Sequence, residues 1–161
     1  MSRQEVRNQI ATFITGVSEI NQFFTSFPKN ADWKKNSSVT DVAKVIAVVF
    51  IAAENEERLA IGGATNGVKR IDYDCGIQVY HHSTKLRDAE DAMVDFDNVI
   101  DNIKNKLRSD HRLGDTSTPA IIWQAAEPSI QVQYGEPINT AGGTIDTWAE
   151  IRFQVTQMLD A

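Results

Sequence analysis

Near the start of the chain, apolar residues recur at alternating steps of four and three: Val6, Ile10, Phe13, Val17, Ile20 and Phe24, with Ile14 widening the stripe. That spacing marks one face of an α-helix and predicts a helix over 3–24. Arg3, Arg7, Asn8 and Glu19 fall off the stripe. Phe27-Pro28 and the aperiodic polar stretch behind it predict a helix end and a loop over 28–42, which carries Trp33. Lys44–Ala53 is almost wholly apolar and rich in Val and Ile, the pattern of a strand covered on both faces. Glu54-Asn55-Glu56-Glu57 interrupts it. Either Arg58–Ile61 resumes as a strand, or 54–67 forms one projecting connection; Gly62-Gly63 and Asn66-Gly67 are turn signals. Ile71, Tyr73, Cys75, Ile77 and Val79 then alternate with Arg70, Asp72, Asp74, Gly76 and Gln78, which predicts a strand with one buried and one wet face.

The strongest periodic element follows. Leu86, Ala89, Met93, Phe96, Ile100, Ile103 and Leu107 step by three and four. Acids (Asp88, Glu90, Asp91, Asp95) crowd its first half and bases (Lys104, Lys106, Arg108) its last turn, an order that complements the helix dipole. Ser83 or Thr84 supplies the cap, and Gly114 lies past the end. The last third is strand-like. Ile121, Ile122 and Trp123 lie between Pro119 and Pro128, and Ile130, Val132 and Tyr134 alternate with glutamines. Gly135 to Gly143 reads as a loop. Ile145, Thr147, Ala149, Ile151, Phe153 and Val155 share one face of a final strand, opposite Asp146, Trp148, Glu150, Arg152 and Gln154. The predicted fold is α+β, a single domain over 1–161 in the order helix–strand–strand–helix–strand–strand. Its mainly antiparallel four-stranded sheet is packed by two amphipathic helices.

Composition narrows the function without naming it. The 161 residues are 42% apolar and 24% charged, the balance of one ordinary globular domain. The longest apolar run, Val45–Ala53, is far short of the ~20 residues a membrane helix needs. The first residues enter a polar helix pattern without the apolar centre of a signal peptide. A single cysteine, Cys75, excludes an intrachain disulfide. The net charge of −6 is uneven, since residues 113–161 hold Asp115, Glu127, Glu136, Asp146, Glu150 and Asp160 against one base, Arg152. That balance disfavours a grip on nucleic-acid phosphates.

No catalytic constellation emerges. Cys75 falls on the apolar alternation of its strand and reads as a buried structural thiol. His81 and His82 are neighbours on a strand and point to opposite faces, so they do not converge on a metal. Gly62-Gly63-Ala64-Thr65-Asn66-Gly67 lacks the Lys-Ser/Thr and the following helix of a phosphate loop. Asp88, Asp91 and Asp95 share a helix flank, and Asp72 and Asp74 share a strand's wet face; both read as solvated acids. Tyr80 and Trp148 lie opposite the apolar alternation of their strands, and Trp33 sits in a polar loop. Such aromatics either mark a contact surface or lie under a second helix.

The run Tyr73-Asp74-Cys75-Gly76-Ile77-Gln78-Val79-Tyr80-His81, the helix start Asp88-Ala89-Glu90-Asp91-Ala92-Met93, and the close Leu107-Arg108-Ser109-Asp110 before Leu113-Gly114 resemble the tail terminator (tail completion) proteins of long-tailed bacteriophages. The likeness is one of rhythm and layout over most of the chain, with no catalytic signature. It implies a structural protein of the virion neck and tail, assembled in the host cytoplasm, that needs no cofactor and performs no chemistry. Copies of the chain would close a hexameric ring on the last ring of tail-tube protein, end its polymerisation and present a surface to the head–tail connector or stopper protein. DNA would pass through the acidic ring without specific binding, and no membrane would be involved. The resemblance places contacts in the connections 54–67 and 135–143, at Glu56, Glu57 and Arg58, and at Trp148. The alternatives are another head–tail joining protein (head-closure or neck) and a non-viral small binding module.

Overall fold

The computed structural model describes residues 2–27, 44–59, 67–83, 89–117, 122–139 and 145–160. Its elements are α1 (Arg3–Ile14), β1 (Gln22–Phe24), β2 (Lys44–Arg58), β3 (Val68–His82), α2 (Ala89–Ser109), β4 (Ile122–Tyr134), β5 (Ile138–Asn139) and β6 (Ile145–Asp160). The fold is mixed α/β with a mostly antiparallel sheet, in the order β1-β2-β3-β6-β4, with β5 also pairing with β6. Only β1 runs parallel to its neighbour. The two short strands β1 and β5 take the sheet beyond the four strands expected and interrupt the expected order of elements.

The sheet is organised by β3. Its fifteen residues, Val68 to His82, pair with β6 along their whole length, and β2 flanks the other side from Lys44↔His82 to Arg58↔Lys69. Paired residues on neighbouring strands point to the same side. Tyr73, Cys75, Ile77 and Val79 therefore line up with Val155, Phe153, Ile151 and Ala149 on one face. Both helices bury their stripes against that face. Val6, Ile10 and Ile14 of α1 and Phe96, Val99, Ile100, Ile103 and Leu107 of α2 join the same apolar cluster. Each fully buried large side chain contributes about 1.5–3 kcal/mol of transfer free energy.

The first helix is shorter than its periodicity predicts. Ser2 caps it with a capping box: its hydroxyl accepts from Glu5 N–H at 3.3 Å, and the Glu5 carboxylate accepts from Ser2 N–H. The helix ends at Ile14, before Thr15-Gly16. Val17 N–H then bonds Ile14 C=O at 3.0 Å, and Ile20 N–H bonds Val17 C=O at 3.3 Å. These three-residue turns continue the inward spacing, so Val17 and Ile20 stay buried outside any helix. Phe24, assigned to the helix by period, lies in β1. Asn21 starts that strand: its side-chain oxygen accepts from Val45 N–H at 2.7 Å and its own N–H donates to Val45 C=O at 2.9 Å.

Other boundaries also move. β2 continues through the acids to Arg58, so no projecting connection begins at Glu54. A register shift between Ile51 and Ala53 makes Ala52 an extra residue. In α2 the core positions are Ala92 and Val99 alongside Phe96, Ile100, Ile103 and Leu107, while Met93 is exposed. The expected 135–143 loop holds β5 at Ile138–Asn139. The predicted 28–42 loop with Trp33, together with Leu86, Asp88 and the 62–66 glycine run, lies outside the described residues. So do Thr84, Ile121 and the Trp123 side chain. Ser83 is described as buried, its hydroxyl bonded to Ile145 at 2.9 Å. No described helix is long and apolar enough to cross a membrane.

Gly76, at the middle of β3, fixes how closely β2 and β3 pack. A Cβ there would come within 3.0 Å of three carbons of the Phe50 ring, which lies over it. Gly76→Ala is expected to destabilise the fold by about 1–3 kcal/mol. The same change in a Phe50→Leu background should cost markedly less. Urea midpoints of the four proteins check this coupling.

Candidate functional site

Among the described residues, no helix lies on the second face of the sheet, which is built from the other set of alternate residues. The register places Ile46, Tyr80 and Trp148 in one row and Val48, Gln78, Glu150 and Gln133 in the next. Phe50, Gly76, Arg152 and Gln131 form a third row, and Asn55, Asp72 and Thr156 lie farther along. This face is far from bare: Val48 is 0% exposed and Gly76 is buried.

Side chains on the face cover one another. The Phe50 ring lies over Gly76, with the Arg152 guanidinium 5.0 Å and the Phe27 ring 5.6 Å from its centroid. Phe27 itself is 58% exposed. Trp148 occupies the space that a Cβ on Gly135 would need, and Gly135 N–H donates to Trp148 C=O at 2.9 Å. An aromatic ring laid over a cross-strand glycine covers backbone that would otherwise be wet.

A ladder of polar contacts crosses the strands beside these rings. The Tyr80 hydroxyl donates to Gln78 Oε1 at 2.8 Å, and Gln78 Nε2 donates to Glu150 Oε2 at 3.0 Å. Arg152 Nε donates to the other Glu150 oxygen, and its Nη1 reaches Asp74 Oδ2 at 3.3 Å. Farther along, Thr156 Oγ1 and Arg70 Nε donate to Asp72 Oδ1 at 2.6 and 3.0 Å. The Glu150 side chain is 17% exposed. Burial pushes its carboxyl up. The bonds from Gln78 and Arg152 and the Arg152 charge outweigh that and hold it below its ordinary value. Burial, then the Glu150 charge, pushes the Tyr80 phenol up, so it stays a neutral donor. Isolated surface ion pairs contribute about 0–1 kcal/mol. Here the shared partners tie β3 to β6, with the Tyr80 hydroxyl at one end of the ladder and Arg152 against the Phe50 ring at the other.

The four contact residues expected from sequence do not come together. Glu56, Glu57 and Arg58 lie at the far end of β2, opposite Ile71, Arg70 and Lys69. Trp148 pairs with Tyr80, nine positions along β3 from Ile71, or ~30 Å at strand spacing. Glu57 shares the Trp148 face, whereas Glu56 and Arg58 point to the helix side. Lys69 Nζ reaches Glu56 at 2.9 Å, and Arg3 reaches Glu54 at 2.6 Å. Sequence reasoning placed Gln78 and Arg152 on the polar faces of their strands without singling them out, and it missed Phe50 as part of the face. The signal was Gly76 inside an alternating strand, where a missing side chain marks a close approach.

Cys75 is fully buried on the helix side, and burial pushes its thiol up to about 12. His81 is buried with its ring 5.8 Å from Phe96, while His82 is exposed on the other face and pairs with Asp146. Among the described residues no three His, Cys, Asp or Glu side chains gather as a cation site. No protein-family model and no curated protein matches the chain.

The lowered Glu150 carboxyl gives a pH test. Its stabilising contribution is present in full above the ordinary value of 4.5 and is lost as pH falls through the folded value. Glu150→Gln should lower stability at neutral pH and flatten the acid limb. Thermal midpoints measured between about pH 5 and pH 3 should fall less in the variant than in the wild type.

Proposed function

We propose that this chain is a non-catalytic structural protein of a long-tailed phage, a tail terminator of the virion neck. Copies close a ring on the end of the tail tube, stop its growth and offer a surface to the head–tail connector. The observation that carries the reading is the one-sided fold. Both described helices pack on one face of a long sheet, and the other face holds Phe50, Tyr80, Trp148 and Arg152 in register. A face of packed aromatic rings and paired charges suits protein contact better than turnover. In this reading the helix-free face meets neighbouring subunits or the tube. Closure of a ring needs two different patches on each copy, one for each neighbour. The sequence rhythm of β3 and α2 supports the family assignment. The acidic balance fits a lumen that lets DNA slide past.

Light scattering on the purified chain, alone and mixed with preformed tail tubes, tests the proposal. A mass of six chains of 17.9 kDa, or smaller species that bind only tube ends and stop their growth, is the expected result. A monomer or dimer that leaves tube ends free to grow would overturn it.

A further inference from the structure

The two sides of β2 are unequal. β1 covers only Ile46–Val48 on one side, whereas β3 covers the other side from Lys44 to Arg58. Among the described residues no strand pairs with the free side of β2 from Val49 to Arg58, and Ala52–Leu59 is exposed throughout. An open edge of that length offers a row of N–H and C=O groups to any second strand.

Three features oppose such pairing. The extra residue at Ala52 breaks the regular edge between Ile51 and Ala53. Glu54-Asn55-Glu56-Glu57-Arg58 then contains no β-branched or aromatic residue, although all five lie in regular strand. Two of its acids are also held in place, Glu54 by Arg3 and Glu56 by Lys69. Pairing with a second copy in parallel register would set each acid against itself. Antiparallel pairing centred on Glu56 would set that residue against its own copy. Like charges directly opposite each other destabilise a ladder. The other edge of the sheet is interrupted too, since β4 contains Pro128, which has no N–H, and has register shifts on either side of Ala125-Ala126.

We propose that the charged far half of β2 is a guard that stops the sheet from continuing into a second copy of the chain. Beyond Ala52 the edge runs in regular strand, and its run of acids opposes pairing. Association between copies is thereby left to side-chain surfaces, whether or not the chain ends tail tubes.

The test is the triple variant Glu56→Thr, Glu57→Val, Arg58→Thr, compared with wild type and with Asp97→Asn. Both variants change the net charge from −6 to −5, and Asp97 is an exposed residue of α2, which packs against α1, β4 and β6. Sedimentation across a concentration series should show the triple variant at about twofold or more the wild-type mass, rising with concentration. Asp97→Asn should match wild type. Hydrogen exchange at Ala53–Arg58 should slow with concentration in the triple variant alone. Equal masses for all three proteins, or equal association of Asp97→Asn, would overturn the proposal. Should the triple variant fail to fold, Glu57→Thr gives the same reading. Its β2 amides should slow with concentration, and amides that stay as fast as wild type would overturn the guard.

Discussion

Both described helices pack on the same face of the sheet, and that placement governs the rest of the described structure. The helix side can be built in the ordinary way, with Cys75, Ile77, Ile151 and Phe153 buried beneath Ile10, Phe96 and Ile100. Among the described residues the other side carries no helical layer, and its own side chains limit its wetting. It does so with rings laid over glycines, Phe50 on Gly76 and Trp148 beside Gly135, and with a ladder of charges that share partners. Each ion pair is worth little alone. Together they place aromatic and charged groups at fixed positions on a broad surface, which is the property a recognition face needs.

Register makes this arrangement possible. β3 is paired on both sides along nearly its whole length, so a one-residue slip would exchange the two faces and expose the core. The glycines belong to the same constraint. A side chain at residue 76 would displace the Phe50 ring, and with it the packing against Arg152. The fold and the proposed contact surface therefore rest on the same residues. A mutation on this face should be read first for its effect on the sheet and only then for its effect on assembly.

Much of this architecture was legible in the sequence because period two and period 3.6 are geometric consequences of burial on one face. The alternation Ile71 to Val79 and the alternation Thr147 to Val155 both place the helix side correctly. The end of α1 was not legible, since turns with three-residue spacing carry Val17 and Ile20 inward just as a helix would. Nor was the length of β2, because an acidic run inside a strand carries no apolar period. The candidate surface was half visible. Tyr80 and Trp148 stood out as off-pattern aromatics, but cross-strand neighbours such as Gln78 and Glu150, or Phe50 and Arg152, belong to register, which a linear sequence does not display.

The central proposal is that the sheet face opposite the described helices is the working face. Hydroxyl-radical footprinting of side chains, on the free chain and on the chain seated at tail-tube ends, tests it most directly. The account predicts that Phe27, Phe50, Tyr80 and Trp148 lose reactivity on seating. Met93 and Tyr134, exposed at α2 and at the end of β4, should keep theirs. Protection of Met93 and Tyr134 with unchanged reactivity at Phe27 and Trp148 would contradict it.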